Sequence, residues 1–259
     1  MGAFEDITYA VADGVARIAV NRPDRLNAYR NQTADELKAA IDRAGADASV
    51  RVVFMTGEGR AFGAGYDLST VQPNETPALD DVLERHFNPL IHAMRASRLP
   101  IVAAVNGPCA GAAVGVALAA DIVLAARSAY FYQPFVGIAL VPDAGNTLFL
   151  SRMLGRVRAS GMMLLGDRID AHRALEWGLV WEVTEDAALA ARAGEVCGTL
   201  SGLDAGAIAA TKRLIAAAAD FALGPQLELE RDLQGVAGRT PAMKQRIAAF
   251  FAGRKEKAR

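Results

Sequence analysis

The chain contains 259 residues, which is enough to bury a stable hydrophobic core without disulfides or metal ions. Its 28 basic and 29 acidic residues nearly cancel, so the composition argues against nucleic acid as the main partner and favours a small molecule. Cys109 and Cys197 lack the spacing of a metal site, and no basic and apolar leader opens the sequence, so we expect a cytoplasmic protein with reduced thiols.

The first part of the chain predicts a hairpin, a helix and a buried strand, in that order. Two strand-like runs, 7–12 and 15–20, flank an Asp-Gly pair that tolerates the positive φ angles of a tight turn. From 31 to 46 the apolar residues recur at helical spacing. The apolar run 52–57 ends at a glycine, which is typical of a strand that is buried on both faces.

The middle of the chain continues this alternation. The runs 101–105 and 122–125 predict two further buried strands, and the small residues at 111–120 between them suit a close-packed helix. This stretch is the most apolar of the chain, but polar residues such as Asn106 and Asp121 interrupt it, so we predict no membrane span. After Pro142 the spacing predicts helices at 146–154, 159–165, 171–177, 187–200, 204–219 and 226–251. The pattern as a whole predicts an α/β fold, with a core of stacked βα units followed by a helical C-terminal part.

Several short motifs follow one another along nearly the whole chain. They lie at 21–28, 62–68 (Phe-Gly-Ala-Gly-Tyr-Asp-Leu), 106–113, 133–134, 140–142 and 174–180. In this order and spacing they resemble the motifs of the crotonase (enoyl-CoA hydratase/isomerase) superfamily. The resemblance implies a crotonase-like (ββα)n spiral core at residues 1–200 and a C-terminal helical trimerisation region at 201–259. It also implies assembly as a homotrimer or as a dimer of trimers.

The same resemblance implies an acyl-coenzyme A thioester as the substrate, with no metal and no cofactor other than the coenzyme A of the substrate itself. Chemistry beside a thioester gathers negative charge on the carbonyl oxygen, and two backbone N–H groups can stabilise that charge as an oxyanion hole. By resemblance these donors belong to Tyr66 and Ala112, where small neighbouring residues let the backbone approach a ligand. The residues that the resemblance assigns to coenzyme A are Arg25, which would lie near the phosphates, and Leu26, Ala28, Ala64, Gly65, Asp67, Leu68 and Gly111.

The carboxylates of a hydratase are missing from this sequence. A hydratase of the family uses two glutamates, because adding water across a double bond requires a base and an acid. By resemblance those positions hold Gly115 and Phe135, and neither side chain transfers protons. The nearest carboxylate is that of Asp143, in a segment that resembles the ring-opening 1,2-epoxyphenylacetyl-CoA isomerase subgroup, as does 88–90. One carboxylate is sufficient for an isomerase, and an apolar wall that includes Phe135 would raise its pKa.

Other interpretations stay open at this stage. Asp143 also fits a helix N-cap, because it precedes a helical pattern and aspartate is a favoured cap. In the related 4-chlorobenzoyl-CoA dehalogenases an aspartate at this position is a nucleophile, but Phe135 replaces the tryptophan expected beside it. A hydratase-like lyase, an acyl-CoA hydrolase and a CoA-binding protein with little activity are the remaining alternatives. Our first choice is an acyl-CoA isomerase that shifts a double bond or opens a ring, with Asp143 as its acid and base.

Two further side chains are weaker candidates for contact with the acyl group. His86 lies on a predicted helix, where a lone histidine is more often a surface or packing residue. Tyr29 follows the first coenzyme A motif, and its hydroxyl could meet an oxygenated acyl group. For both we expect packing or a local hydrogen bond rather than contact with substrate.

Overall fold

The computed structural model describes residues 4–70 and 78–257, and in these residues nine strands form two sheets. The strands are β1 Ile7–Ala12, β2 Val15–Val20, β3 Val52–Gly57, β4 Ile101–Val105, β5 Pro108–Ala110, β6 Ile122–Ala126, β7 Tyr130–Tyr132, β8 Ile169–Asp170 and β9 Glu182–Thr184. All five strands predicted from the sequence are present, and only β6 differs in its bounds, by one residue. The predicted α/β class is confirmed.

The larger sheet has the strand order β1-β2-β3-β4-β6-β9 and is parallel except for the β1–β2 hairpin. Asp13 and Gly14 form the hairpin turn with φ angles of 51° and 76°. Every residue of β4 is buried, because layers of structure cover both faces of the sheet at its centre. Alternation between parallel strands and helices therefore builds the core, as the sequence predicts.

The smaller sheet consists of β5, β7 and β8, with β5 parallel to β7 and β7 antiparallel to β8. These strands were not predicted, because two or three residues carry too little periodicity to identify a strand. A single bridge joins Gly63 to Cys109 of β5. This bridge brings the first glycine-containing loop beside the second.

The helices in the described residues are α1 Asn31–Ala46, α2 Leu79–Val82, α3 Asn88–Ala96, α4 Ala112–Leu118, α5 Asn146–Leu165, α6 Ala171–Trp177, α7 Leu189–Ser201, α8 Ala205–Ala217, α9 Leu223–Ala237 and α10 Pro241–Lys257. A π-helical turn, Leu83–Phe87, joins α2 to α3. Gly155 has φ 72° and ψ 164° and divides α5 into two helices, in agreement with the break predicted there. The single helix predicted at 226–251 is wrong, because the proline at 241 has no backbone N–H and begins a new helix.

The chain divides into two compact units, residues 1–201 and 202–259. In the first unit α7 packs on β3, β4 and β6, and α1 packs on α3. In the second unit α8 packs on α9, where the Gln226 side-chain amide donates to the Leu214 carbonyl at 3.2 Å. Trimerisation through the second unit stays a prediction. No helix within residues 4–70 and 78–257 is long and apolar enough to cross a membrane.

Candidate active site

The loop after β3 presents the backbone N–H of Tyr66. The Tyr29 N–H donates to the Gly65 carbonyl at 2.7 Å, and the Asp67 N–H donates to the Tyr29 carbonyl at 2.8 Å. The peptide bonds are trans, so a carbonyl that points toward Tyr29 turns the N–H of the next residue to the opposite side. The Tyr66 N–H therefore points away from Tyr29, and it has no acceptor among the described residues.

Polar side chains hold the loop that contains Tyr66 in place. The Arg22 guanidinium lies 2.8 Å from the Asp67 carboxylate and also donates to the Ala28 carbonyl. The Ser69 hydroxyl donates to the same carboxylate at 2.6 Å. Burial by itself would raise the pKa of Asp67, but the hydrogen bonds from Ser69 and Arg22 outweigh it and hold that pKa below its usual value. Asp67 is thus an ionised anchor of the loop.

The second loop presents the N–H of Ala112, the first residue of α4. The Gly111 N–H donates to the Tyr132 carbonyl at 2.9 Å, and the Gly111 carbonyl accepts from the Asn146 side-chain amide at 3.0 Å. Gly111 has φ +55° and ψ −126°, a conformation that favours glycine. Because the next peptide is trans, the Ala112 N–H points away from Asn146, and it has no acceptor among the described residues.

The two loops are in direct contact at their glycines. A Cβ atom added to Gly65 would lie 3.2 Å from the Ala110 carbonyl oxygen and 3.6 Å from the Gly111 Cα atom. A Cβ atom added to Gly111 would lie 3.5 Å from the Gly65 Cα atom. The absence of side chains at these two positions lets the two loops pack closely, and Tyr66 and Ala112 both line one cavity.

Asp143 lines the same cavity. Its Oδ1 atom is buried and has no hydrogen-bond partner among the described residues. Burial raises the pKa of Asp143 from 3.8 to about 6, and a hydrogen bond from its own backbone N–H opposes the shift only in part. A carboxyl group with this pKa can exchange a proton near neutral pH, which is the property required of an acid and base.

The helix-cap interpretation of Asp143 is wrong. Helix α5 begins at Asn146, its N-cap residue is Gly145, and no side chain caps it. The backbone carbonyl of Asp143, not its carboxylate, accepts the Asn146 N–H at 2.9 Å. The Asp143 side chain therefore makes no contribution to the start of the helix.

Gly115 and Phe135, the positions that the resemblance assigns to the hydratase glutamates, leave no room for an acidic side chain. A Cβ atom added to Gly115 would lie 2.1 Å from the Ala144 carbonyl oxygen, so no side chain fits there without movement of the Asp143 segment. Phe135 is 7% exposed and lines the cavity, and its ring would lie 3.7 Å from a Cβ atom on Gly111. Backbone and an aromatic ring thus occupy the space of both acids.

A cavity of about 540 Å³ lies between these elements. Seven of the eleven predicted site residues line it: Ala64, Gly65, Tyr66, Leu68, Gly111, Ala112 and Asp143. Arg25, Leu26, Ala28 and Asp67 do not. The rest of the described wall is apolar and comes from α2, the π-helical turn and the segment before α5, namely Leu79, Val82, Leu83, Phe87, Pro134, Phe135, Ile138, Leu140 and Val141. Asp143 is the one carboxylate among the described lining residues.

The two weaker candidates lie away from the cavity. The His86 Nδ1 atom is 2.8 Å from an Asp35 carboxylate oxygen, so His86 joins the π-helical turn to α1. Tyr29 is fully buried in the core, burial raises its pKa, and its hydroxyl has no partner within the described part of the chain. Neither residue lines the cavity. His86 is thus bound to a neighbouring helix and Tyr29 packs in the core, and the expectation that neither contacts the substrate stays a prediction.

Sequence reasoning missed the residue that connects the two halves of the site. Asn146 is completely buried, and its side-chain amide donates to the carbonyls of Gly111 and Asp143. The Gln133 side-chain amide in turn donates to Asn146 Oδ1 at 2.8 Å. No local signal in the sequence identifies this role, because an asparagine at the start of a helix is ordinarily a cap.

Two backbone amides and one buried carboxyl group around an apolar cavity, on a parallel-sheet spiral, define an enzyme of the crotonase superfamily, whose members act on coenzyme A thioesters. A model of the enoyl-CoA hydratase/isomerase family matches residues 10–258. The chain belongs to the enoyl-CoA hydratase/isomerase family.

Individual relatives agree with this assignment. The chain is 38% identical to 1,2-epoxyphenylacetyl-CoA isomerase of Escherichia coli K12, covering 96% of this chain and 97% of that one. It is 39% identical to a Rhodobacter capsulatus protein named "Probable enoyl-CoA hydratase", with 96% of each chain covered. The crystal structure of an enoyl-CoA hydratase from Polaromonas sp. JS666 superposes with a TM-score of 0.91 at 31% identity, covering 95% of this chain and 97% of that one. The predicted crotonase-like fold is confirmed.

Proposed function

We propose that this enzyme is an acyl-CoA isomerase in which Asp143 is the acid and base and the amides of Tyr66 and Ala112 bind the thioester oxygen. The observation that carries the proposal is that Asp143 lines the cavity and that its carboxyl group is largely buried, with one oxygen unpartnered among the described residues and with its pKa raised to about 6. The likeness to 1,2-epoxyphenylacetyl-CoA isomerase supports the same reaction class.

The proposed reaction needs no group beyond this site. The ionised Asp143 removes a proton from the carbon next to the thioester carbonyl, and the electron pair of the C–H bond moves onto the carbonyl oxygen to form an enolate. The two amides stabilise the negative oxygen. When the thioester carbonyl re-forms, the enolate electron pair becomes a new C–C double bond next to it. The original double bond, or a carbon–oxygen bond of the ring, breaks at the same time, and the electron pair that it releases takes the same proton back from Asp143. Protons and electrons balance, so neither water nor a redox cofactor takes part.

Hydration is the less suitable reaction for this cavity. It requires a second group that activates water, and the positions of the hydratase acids hold Gly115 and Phe135. The Ala144 carbonyl occupies the space into which a side chain at 115 would extend. With a single carboxylate among the described lining residues, proton transfer between two atoms of the substrate is the chemistry that this site supports best.

The wall of the cavity favours an uncharged, apolar acyl group. Its described side chains are aliphatic or aromatic apart from the Tyr66 hydroxyl and the Asp143 carboxyl. The Tyr66 hydroxyl already donates to Asn31 Oδ1 at 3.2 Å. A carboxylated acyl group would lie beside Asp143 without a compensating cation, so its repulsion would weaken binding. Unsaturated aliphatic and aryl-acetyl thioesters fit this wall best.

The test compares wild type with Asp143→Asn on a panel of 3-enoyl-, 2-enoyl-, epoxyaryl- and haloaryl-CoA esters, with products identified by mass. An isomerase yields a product of unchanged mass, and Asp143→Asn abolishes it while the variant still binds CoA. A product heavier by one water, release of free CoA or loss of halide would replace the proposal with hydratase, hydrolase or dehalogenase activity. Tight binding without turnover on the whole panel would indicate a CoA-binding protein.

Asp167→Asn is the matched control variant, because that aspartate is exposed and outside the cavity.

We also propose that Arg25 contacts the phosphates of coenzyme A. It is exposed at the end of the turn Pro23–Arg25, next to the first loop of the site, so its guanidinium is accessible to an anion. Arg25→Ala is expected to raise KM for CoA esters several-fold and to leave KM for N-acetylcysteamine thioesters, which lack the phosphates, unchanged. An equal effect on both substrates would contradict this role.

The third proposal is that residues 201–259 assemble the chain into trimers or dimers of trimers. Apolar side chains are exposed on the helices of this unit, including Ile215 and Leu223. Exposed apolar surface of this kind commonly marks a protein interface. The full chain is expected to sediment as a trimer or hexamer, and Leu223→Glu is expected to reduce its mass. A monomeric wild type would refute the proposal.

A further inference from the structure

We propose that Asn146 is a positioning residue that holds the second oxyanion donor and the Asp143 segment in a fixed relation, with Gln133 holding Asn146 in turn. The role rests on the proposed oxyanion hole. It does not depend on which reaction the enzyme catalyses.

The Asn146 side chain uses both of its N–H groups inside the site. Its Nδ2 atom lies 3.0 Å from the Gly111 carbonyl oxygen and 2.9 Å from the Asp143 carbonyl oxygen. Both acceptors are carbonyls, so only the amide nitrogen can face them, and the oxygen must face the other way. There Oδ1 accepts from the Gln133 side-chain amide at 2.8 Å. The orientation of Asn146 is therefore determined on all sides.

One of these bonds orients the amide of Ala112. The Gly111 carbonyl and the Ala112 N–H belong to the same trans peptide and point in opposite directions. Holding the carbonyl on Asn146 consequently holds the N–H toward the cavity that Ala112 lines. Gly111 is a glycine with positive φ, so its backbone would otherwise rotate more freely than that of any other residue. The bond from Asn146 limits this freedom, together with the Val114 N–H, which donates to the same carbonyl at 3.1 Å.

The other bonds hold Asp143. Its carbonyl accepts from the backbone N–H and from the side chain of Asn146, both at 2.9 Å. The following residues, Ala144 and Gly145, have φ angles of 49° and 79°. A positive φ at alanine is costly and persists only where surrounding contacts hold it. Two of the contacts that hold this segment come from Asn146, and Ala144 itself is buried at 3% exposure. Asn146 thereby restrains the backbone of Asp143, from which the carboxyl group extends.

The consequence is that one side chain links the acid and base to the oxyanion donor. If the Asn146 side-chain amide is removed, the carbonyls of Gly111 and Asp143 are left buried without their side-chain partner, and each peptide relaxes separately. The substrate would still bind through its coenzyme A part, but the N–H of Ala112 would no longer be preorganised for the enolate. The loss should therefore fall on kcat and leave KM nearly unchanged.

The experiment uses Asn146→Ala, Asn146→Asp and Asn146→Ser in the full chain. The side chains of alanine and aspartate at 146 provide no N–H donor, and the side chain of serine provides one hydroxyl. Removal of an oxyanion-hole donor typically costs about 100-fold or more in kcat, and we expect a loss of that order for the first two variants and a smaller loss for serine. Asn146→Ser also keeps the test open if the other two variants fold poorly.

A readout that is independent of turnover is the infrared frequency of the thioester carbonyl of a bound, ¹³C-labelled acyl-CoA. In wild type the two donors lower this frequency, and the lowering should shrink in the order wild type, serine, then alanine and aspartate. Unchanged frequency and unchanged kcat in folded Asn146→Ala would overturn the proposal. Losses of kcat that are proportional to the drop in melting temperature across the variants, with no change in carbonyl frequency, would also overturn it. If wild type lacks isomerase activity but shows the frequency effect and its loss, the proposed reaction fails and the positioning role stands.

Discussion

The replacement of Asp143 by asparagine should make the protein more stable at neutral pH while it abolishes turnover. Burial raises the pKa of this carboxyl group from 3.8 to about 6, so between these values the folded protein holds a proton that the unfolded chain has lost. Stability contributed by this group is present below pH 4 and is lost as the pH rises through 6. A difference of about two pH units corresponds to about 3 kcal/mol at pH 7.5.

The measurement is urea unfolding of wild type and Asp143→Asn at pH 4 and pH 7.5, at one protein concentration because assembly would make stability depend on it. The variant lacks the ionisable group. Because pH 4 already lies just above the unfolded pKa of 3.8, part of the difference of about 3 kcal/mol is present at the lower pH, and the stability of the variant relative to wild type should rise by about 2 kcal/mol between the two pH values. The exposed control Asp167→Asn should show no comparable change. An equal stability difference at both pH values would refute the account of a carboxyl group buried in its charged form.

Three further predictions follow from the same site. The kcat/KM of the wild type should rise with pH and reach half its maximum near pH 6, because only the ionised form of Asp143 accepts a proton; a flat profile from pH 5 to 7.5 would contradict this. Gly115→Ala should lose about 1–3 kcal/mol of stability and most activity, because the added Cβ atom meets the Ala144 carbonyl. The control Gly161→Ala, whose added Cβ atom has nothing within 4 Å and lies inside α5, should leave turnover unchanged and should not lower stability in unfolding assays. Asp67→Ala should lower the free energy of unfolding by about 3 kcal/mol, because it leaves Arg22 mostly buried without its nearest carboxylate, and a loss below 1 kcal/mol would contradict that reasoning.

Much of the site could be predicted from the sequence because its parts are short, local motifs. The loops with Tyr66 and Ala112 depend on glycines at adjacent positions, and these glycines can be recognised from the local sequence alone. Asp143 was found in the same way, since its segment resembles that of a known subgroup. Its alternative role as a helix cap could be rejected only when the start of α5 was seen to be Gly145 and Asn146.

The coupling between these parts could not be predicted, because it depends on contacts between distant segments. Asn146 meets Gly111 from 35 positions along the chain and Gln133 from 13, and no spacing rule relates such residues. The strands β5, β7 and β8 were missed for a related reason: each is stable only in the sheet that it forms with the others.

By itself, the sequence determined the α/β alternation and the two glycine-containing loops. Its resemblance to the family assigned Gly115 and Phe135 to the hydratase glutamate positions and singled out Asp143 as the nearest carboxylate. These are properties of residue type and local spacing. Only the tertiary structure decided that the Tyr66 and Ala112 amides point away from Tyr29 and Asn146, and that Ala144 fills the space beside Gly115. It also decided that the Asp143 carboxyl group is largely buried, with one oxygen that has no partner among the described residues. The physical reason is that direction, excluded volume and desolvation arise from the packing of remote segments, and local sequence does not encode them.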